Sequence, residues 1–382
     1  QQQPLFCRAL CIEAGGRRLV VASLDLLCLS WECRKRVLEK VSPACGDDLV
    51  LCATHTHSAP GGLFPKEAAF MLGKPNPEFA ETAADAATKA IEGAFRDLAP
   101  AGARWATCEF AGLTGNRRER MGPRDDSMVL LRLERTGLRD ILLVNGSGHP
   151  VVVSEHDPHM VHPDYPGVLC NRLEKEMGLE ALFVPAALGG LSILFPEFPL
   201  PLAEHLQLVT SLQIGCIGRG LENTKPLAAD ATLEVKTEAL ALGFSSDRIF
   251  RPLGAAGIAA DLAFRPLRTW LERRMRTALA FPEGVPLHVV RLDGFALVAT
   301  AFELGVELVA ALRRLLMDAG AESVAVVSLA NGYAGYLHPP ATYGRKPASG
   351  FRFLAYYENA LAPFGHAASE KLLERAKTLA AG

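Results

Sequence analysis

Apolar residues recur along this chain in short β-branched or leucine-rich runs. Three times such a run leads into an amphipathic stretch and then a second run. The first instance predicts a strand over 18–27, a helix near 31–41 and a strand over 48–53, ending in His55-Thr56-His57. In the second, a strand over 140–144 ends in Gly148-His149-Pro150, followed by a helix near 165–177 and a return strand over 179–185. The third has a strand over 294–300 ending in Phe302-Glu303, a helix over 305–319 and a strand over 323–329, before residues 331–336. The helical stretches carry apolar residues at three- and four-residue spacing, and Gly or Pro punctuates the joins. Such strand–helix–strand units predict an α/β fold of mixed β-sheets flanked by helices. Residues 195–221 read as a Pro-bounded loop and a helix. Residues 249–279 read as a helical arm, with Leu253, Ile258, Leu262 and Leu267 on one side, packing on the core.

The chain has 382 residues, 49% hydrophobic and 21% charged, and no low-complexity tract or long linker divides it. A single domain over 1–382 is therefore expected. With a net charge of −2 there is no basic field to hold nucleic acid. The cluster at 34–36 and the pair Arg273-Arg274 fit solvated helix faces. No apolar run approaches the ~18–20 residues of a membrane span, so no integral membrane segment is expected. The nine cysteines form no CxxC pair. Small buried thiols and a reducing, cytoplasmic location follow. The chain opens almost inside its first strand without a signal peptide, which implies residues lost upstream, and any targeting signal with them. Nothing in the sequence addresses the oligomeric state.

In open α/β sheets ligands bind beyond the carboxyl ends of strands, and this chain sets its polar, metal-capable residues there. Within Ala53-Thr54-His55-Thr56-His57-Ser58-Ala59-Pro60-Gly61-Gly62, strand alternation would turn His55 and His57 to one face. Metal binding and two hydrogen-bonded structural histidines are equally open readings. His149 also follows an apolar strand, where a lone histidine is more often structural. Residues 156–164 hold His156, His159 and His162 between prolines at a spacing unsuited to a helical ligand face; a loop is expected, with Asp164 the residue nearest a site role. Glu303 ends one of the most apolar strands, where a carboxylate needs a partner or a cation; capping the following helix is the alternative. Tyr333 and Tyr336 alone would pass for core aromatics. Two imidazoles, a carboxylate and an open position make the ligand set of a catalytic zinc site.

ATHTHSAPGG resembles the THTHSGPGG signature of the neutral/alkaline, non-lysosomal ceramidases and their bacterial relatives. The resemblance continues in family order through SLDLL at 23–27, GNRRER at 115–120, His149, HPDYPG at 162–167, AFELG at 301–305, NGYAGYLHPP at 331–340, and Tyr357-Glu358. It implies the fold of the ceramidase catalytic domain and a zinc ion held by His55, His149, Glu303 and Tyr336, with water completing the shell. It further implies proton transfer by His57 and substrate contacts by Arg117 and Tyr357. The implied activity is hydrolysis of an amide (N-acyl) bond in a small molecule. Members usually carry Asn and Asp in a loop Asn-x-Gly-Asp; here Ala187 and Gly190 stand in their places, with Ser192 at the position of a family serine. The chain stops at a helix over 367–381, without the immunoglobulin-like carboxyl-terminal domain of true ceramidases. These departures point to a substrate smaller than ceramide. An esterase, lactonase or biosynthetic enzyme on the same metal site is one alternative, and a degenerate, non-catalytic binding member is another.

Overall fold

The computed structural model describes residues 3–41, 48–119, 121–196, 199–244, 283–343, 358–359, 361–365 and 367–381, with isolated positions between 266 and 281. Tyr357 and almost all of the arm expected over 249–279 lie outside the described residues.

Three mixed sheets carry the fold. The first orders Cys7–Ala14, Arg17–Leu24 and Leu49–Ala53. The second orders Lys225–Pro226, Ala101–Glu109, Ser127–Arg135, Ile141–Gly146 and Glu180–Pro185. The third orders Leu233–Leu240, Val285–Leu292, Phe295–Thr300 and Ser323–Val327. Pairing is antiparallel until the last step of each sheet, where the edge strand pairs in parallel with its neighbour. Parallel neighbours need a crossover, and the helices Trp31–Val41, Asp164–Glu176 and Val306–Asp318 supply them. These three parallel pairs are the three units expected from the hydrophobic pattern.

Side-chain alternation divides each strand between two cores. Leu19, Val21, Val50 and Cys52 of the first sheet join Val129, Leu131, Leu143 and Leu182 of the second and Val290, Leu297 and Val327 of the third in one cluster shared by all three sheets. The intervening Val20, Ala22, Leu49 and Leu51 face the helices Trp31–Val41 and Pro77–Arg96. Helices Asp164–Glu176 and Leu202–Glu222 cover the second sheet, and Val306–Asp318 and Ala367–Ala381 the third. The sequence reading had placed neither Pro77–Arg96 nor the antiparallel strands Ala101–Glu109 and Ser127–Arg135. The helix did carry a start signal: Asn76 caps it by accepting the Phe79 N–H, with Pro77 in its first turn. No described helix is long and apolar enough to cross a membrane.

Where the three parallel edges meet, buried side chains supplement a few backbone hydrogen bonds, such as Ser328 N–H to Pro185 carbonyl and Asn331 N–H to Leu51 carbonyl. Asn145 donates to the carbonyls of Val184 (3.1 Å) and Val326 (2.8 Å) and accepts from the Val326 N–H (3.1 Å), joining the second sheet to the third. Asn331 accepts from Leu51 N–H and donates to Leu49 carbonyl, both at 2.9 Å, joining the third sheet's outgoing loop to the first. Ser23 donates to the Phe183 carbonyl at 2.6 Å. Replacing Asn145 by Ala should lower the unfolding free energy by about 2–4 kcal/mol, because buried backbone groups lose their partners. Urea denaturation checks this, and a change below about 0.5 kcal/mol would show that Asn145 does not tie the sheets.

Candidate metal centre

The polar residues at the carboxyl ends of these strands converge. Strand Leu49–Ala53 stops two residues before His55, so strand alternation does not orient the His55/His57 pair as expected. Instead His55 adopts a left-handed backbone (φ 70°), a conformation that costs a non-glycine residue about 1–3 kcal/mol. Its N–H donates to the Leu26 carbonyl at 2.9 Å, and its Nδ1 lies 2.7 Å from the Leu27 carbonyl. His149 follows Ile141–Gly146 through Gly148, and its Nδ1 lies 3.0 Å from the Leu191 carbonyl. A carbonyl can only accept, so both imidazoles carry their proton on Nδ1 and turn the Nε2 lone pair into the site.

Glu303 does not cap the following helix, which begins at Val306 after Gly305. Instead Glu303–Leu304 forms a short parallel pair with Tyr336–Leu337, in which Glu303 and Tyr336 are direct partners. The Tyr333 hydroxyl donates to Glu303 Oε1 at 2.9 Å, leaving Oε2 to face the histidines. Oε2 lies 3.2 Å from His55 Nε2 and 3.3 Å from His149 Nε2, and His149 Nε2 lies 3.2 Å from Tyr336 Oη. His55 Nε2 and Glu303 Oε2 are buried and have no hydrogen-bond partner among the described residues. Ligands tetrahedrally placed about 2.0–2.1 Å from one centre stand about 3.3–3.4 Å apart. The His55–Glu303, Glu303–His149 and His149–Tyr336 separations match that spacing, as donors around one small cation would.

The charge states fit as well. Burial, then Arg117, lowers the pKa of His149 to about 4, so its ring is neutral. Burial would raise the pKa of Glu303; what lowers it well below the ordinary carboxylate value is positive charge at His55 and His149, the charge that a bound cation supplies when the rings are neutral. Neutral imidazole and ionised carboxylate are the forms a metal takes. The His57 ring stands 4.9 Å from that of His55 and 5.6 Å from that of His149. His55, His57 and His149 also form a group of three histidines whose ring nitrogens lie within 4.8 Å of one another and could hold an ion. His57 is solvent-exposed, and partial desolvation of its ring, then His55, His149 and Arg117, pushes its pKa below the usual imidazole value.

Arg117 extends from Thr114–Asn116, which pairs with Leu191–Ile193. Its Nη2 reaches 3.2 Å from both His149 Nε2 and Tyr336 Oη. Two residues that the sequence reading left without a role hold the arrangement. Tyr333 orients Glu303, and Glu358 accepts from Arg117 Nε at 2.8 Å. Asp164 does not enter the centre: its carboxylate accepts the N–H groups of Val153 and Tyr165. It acts at one remove, since the Tyr165 hydroxyl donates to the Gly148 carbonyl at 2.7 Å, next to His149. His162 likewise serves the scaffold through backbone bonds to Thr56 and Ser58. His156 lies in the short helix Val152–His156, not in a loop, and pairs with His205 at 3.4 Å. In the 186–192 loop, Ala187 is fully buried, and Gly190 has φ 79° with Arg118 Cδ 3.3 Å from where a Cβ would stand. Ser192 Oγ lies 3.4 Å from the Gly115 carbonyl.

No protein-family model and no curated protein matches the sequence. Solved structures do match. A ceramidase complexed with C2 superimposes with a TM-score of 0.77 at 17% identity, covering 98% of this chain and 69% of that one. The neutral ceramidase from Pseudomonas aeruginosa gives a TM-score of 0.74 at 19% identity, covering 98% and 68%. The fold that the motif resemblance implied is the fold this chain adopts: that of the neutral ceramidases.

Proposed function

We propose that this chain is a zinc-dependent hydrolase of amide (N-acyl) bonds in a small molecule, with His55, His149, Glu303 and Tyr336 holding the ion. The observation that carries the reading is the convergence of His55 Nε2 and Glu303 Oε2, both buried without a hydrogen-bond partner among the described residues, beside His149 Nε2. When bound, zinc supplies a Lewis acid that lowers the pKa of water and polarises a carbonyl. His57, beside the ligands and open to solvent, accepts a proton from the attacking water through its ring nitrogen and returns it to the leaving amine. Arg117 donates N–H groups to the oxygen on which charge develops, and Tyr357 is assigned the same task on the resemblance alone. Cys28, Phe64, Leu188 and Leu329 pack with Tyr333 and Tyr336 in a buried apolar cluster that backs the two tyrosines.

The Ala187 and Gly190 loop favours an acyl compound smaller than ceramide, because it offers no polar side chain where the ceramidases usually carry Asn and Asp. The same loop supports a second reading, a protein that binds such a ligand without turning it over.

Elemental analysis of the purified protein should find one zinc per chain, and chelation should abolish hydrolysis of N-acyl amides until zinc is restored. A metal-free protein with full activity would end the reading. His57→Ala should retain zinc while kcat falls by about 10²–10⁴-fold; loss of the zinc would instead make His57 a ligand. Across an acyl-length series, kcat/KM should favour short N-acyl substrates over long-chain ceramide. Each missing hydrogen bond weakens the transition state by about 1–3 kcal/mol. Efficient turnover of long-chain ceramide in micelles would refute that preference.

A further inference from the structure

Arg117 poses an electrostatic problem for any cation in this centre. Its Nη2 lies 3.2 Å from His149 Nε2 and 3.2 Å from Tyr336 Oη, two of the atoms assigned above as ligands. A guanidinium does not deprotonate in a protein. Its side chain is 13% exposed, so solvent screens it poorly against a neighbouring dication. Arg118 adds a second guanidinium, 11% exposed, close behind the first.

Glu358 answers both. It is fully buried, and Oε1 lies 2.7 Å from Arg117 Nη2 and accepts the Gly190 N–H at 3.0 Å. Oε2 lies 2.9 Å from Arg118 Nη1 and 3.1 Å from His338 Nε2. Burial alone would raise its pKa, but Arg117, then His338 and Arg118, hold it far below the usual carboxylate range, so the charge is present. Without that carboxylate, Arg117 would be opposed only by Glu303 and Tyr336, the groups assigned to the ion itself.

We infer that Glu358 is the counter-ion that lets Arg117 stand beside the centre, and that it thereby sets the affinity of the site for a divalent cation. It contacts Arg117, Arg118, His338 and the Gly190 N–H and acts through Arg117, as a positioning residue. The inference rests on the zinc reading above.

The test is a double-variant cycle on the whole chain, stripped with chelator, with Zn²⁺ affinity measured by competition against a fluorescent chelator. Glu358→Gln should bind zinc about 10–100-fold more weakly than the wild type, the usual scale for groups behind the ligands. Arg117→Met should bind zinc more tightly than the wild type, and adding Arg117→Met to Glu358→Gln should recover most of the lost affinity. Unchanged affinity in Glu358→Gln, or a double variant as weak as Glu358→Gln, would overturn the inference. If thermal melts show Glu358→Gln unfolded, Arg117→Met decides: tighter zinc binding supports the inference, and equal or weaker binding overturns it. A wild type that binds no zinc sinks the metal reading itself, an outcome distinct from a zinc-binding wild type with unresponsive variants.

Discussion

Two imidazole lone pairs and a carboxylate oxygen face one another across little more than 3 Å in the interior of this protein. With both Nδ1 protons committed to backbone carbonyls, no hydrogen lies between the His55 nitrogen and the carboxylate oxygen. Such a contact is repulsive unless a cation enters it, and a buried unpaired carboxylate is costly on its own. Much of the local architecture exists to impose that contact. It includes the left-handed turn at His55, the parallel pairing of Glu303 with Tyr336, and the Tyr333 hydroxyl that aims the carboxylate.

The framework and most of the centre were legible in the sequence for physical reasons. Parallel edge strands buried on both faces read as continuous apolar runs, and their crossover helices show three- and four-residue spacing. His55, His149 and Glu303 stood out because each is polar immediately beyond such a run. The strand Ala101–Glu109 mixes exposed, half-buried and buried positions, which blurs its period, whereas Ser127–Arg135 is half-buried or buried throughout. The helix Pro77–Arg96 buries mainly Ala83, Ala84 and Ala87, small residues with a faint apolar signature.

The contacts of Glu358 and Tyr333 were invisible for a different reason. Glu358 meets Arg117 across 241 positions of sequence, and Tyr333 meets Glu303 across 30. Neither contact leaves a local pattern, since hydrogen bonds between distant side chains obey the tertiary fold and no period. Strand alternation also misdescribed the route by which His55 and His57 come together. The strand ended early and a turn did the aiming, an outcome that requires knowing where the Leu26 and Leu27 carbonyls lie.

The stitching of three parallel edges by Asn145, Asn331 and Ser23 bears on how the molecule assembles. The four converging side chains come from positions 55, 149, 303 and 336, and from the outgoing ends of three different sheets. No fragment holding one or two sheets contains the centre, and a chain with its sheets formed but undocked would scatter the donors. An ion bound there engages only the final docked state, so it acts as a late clamp that draws the folding equilibrium toward completion by mass action. The centre is then as much a keystone of the assembled sheets as a place for chemistry.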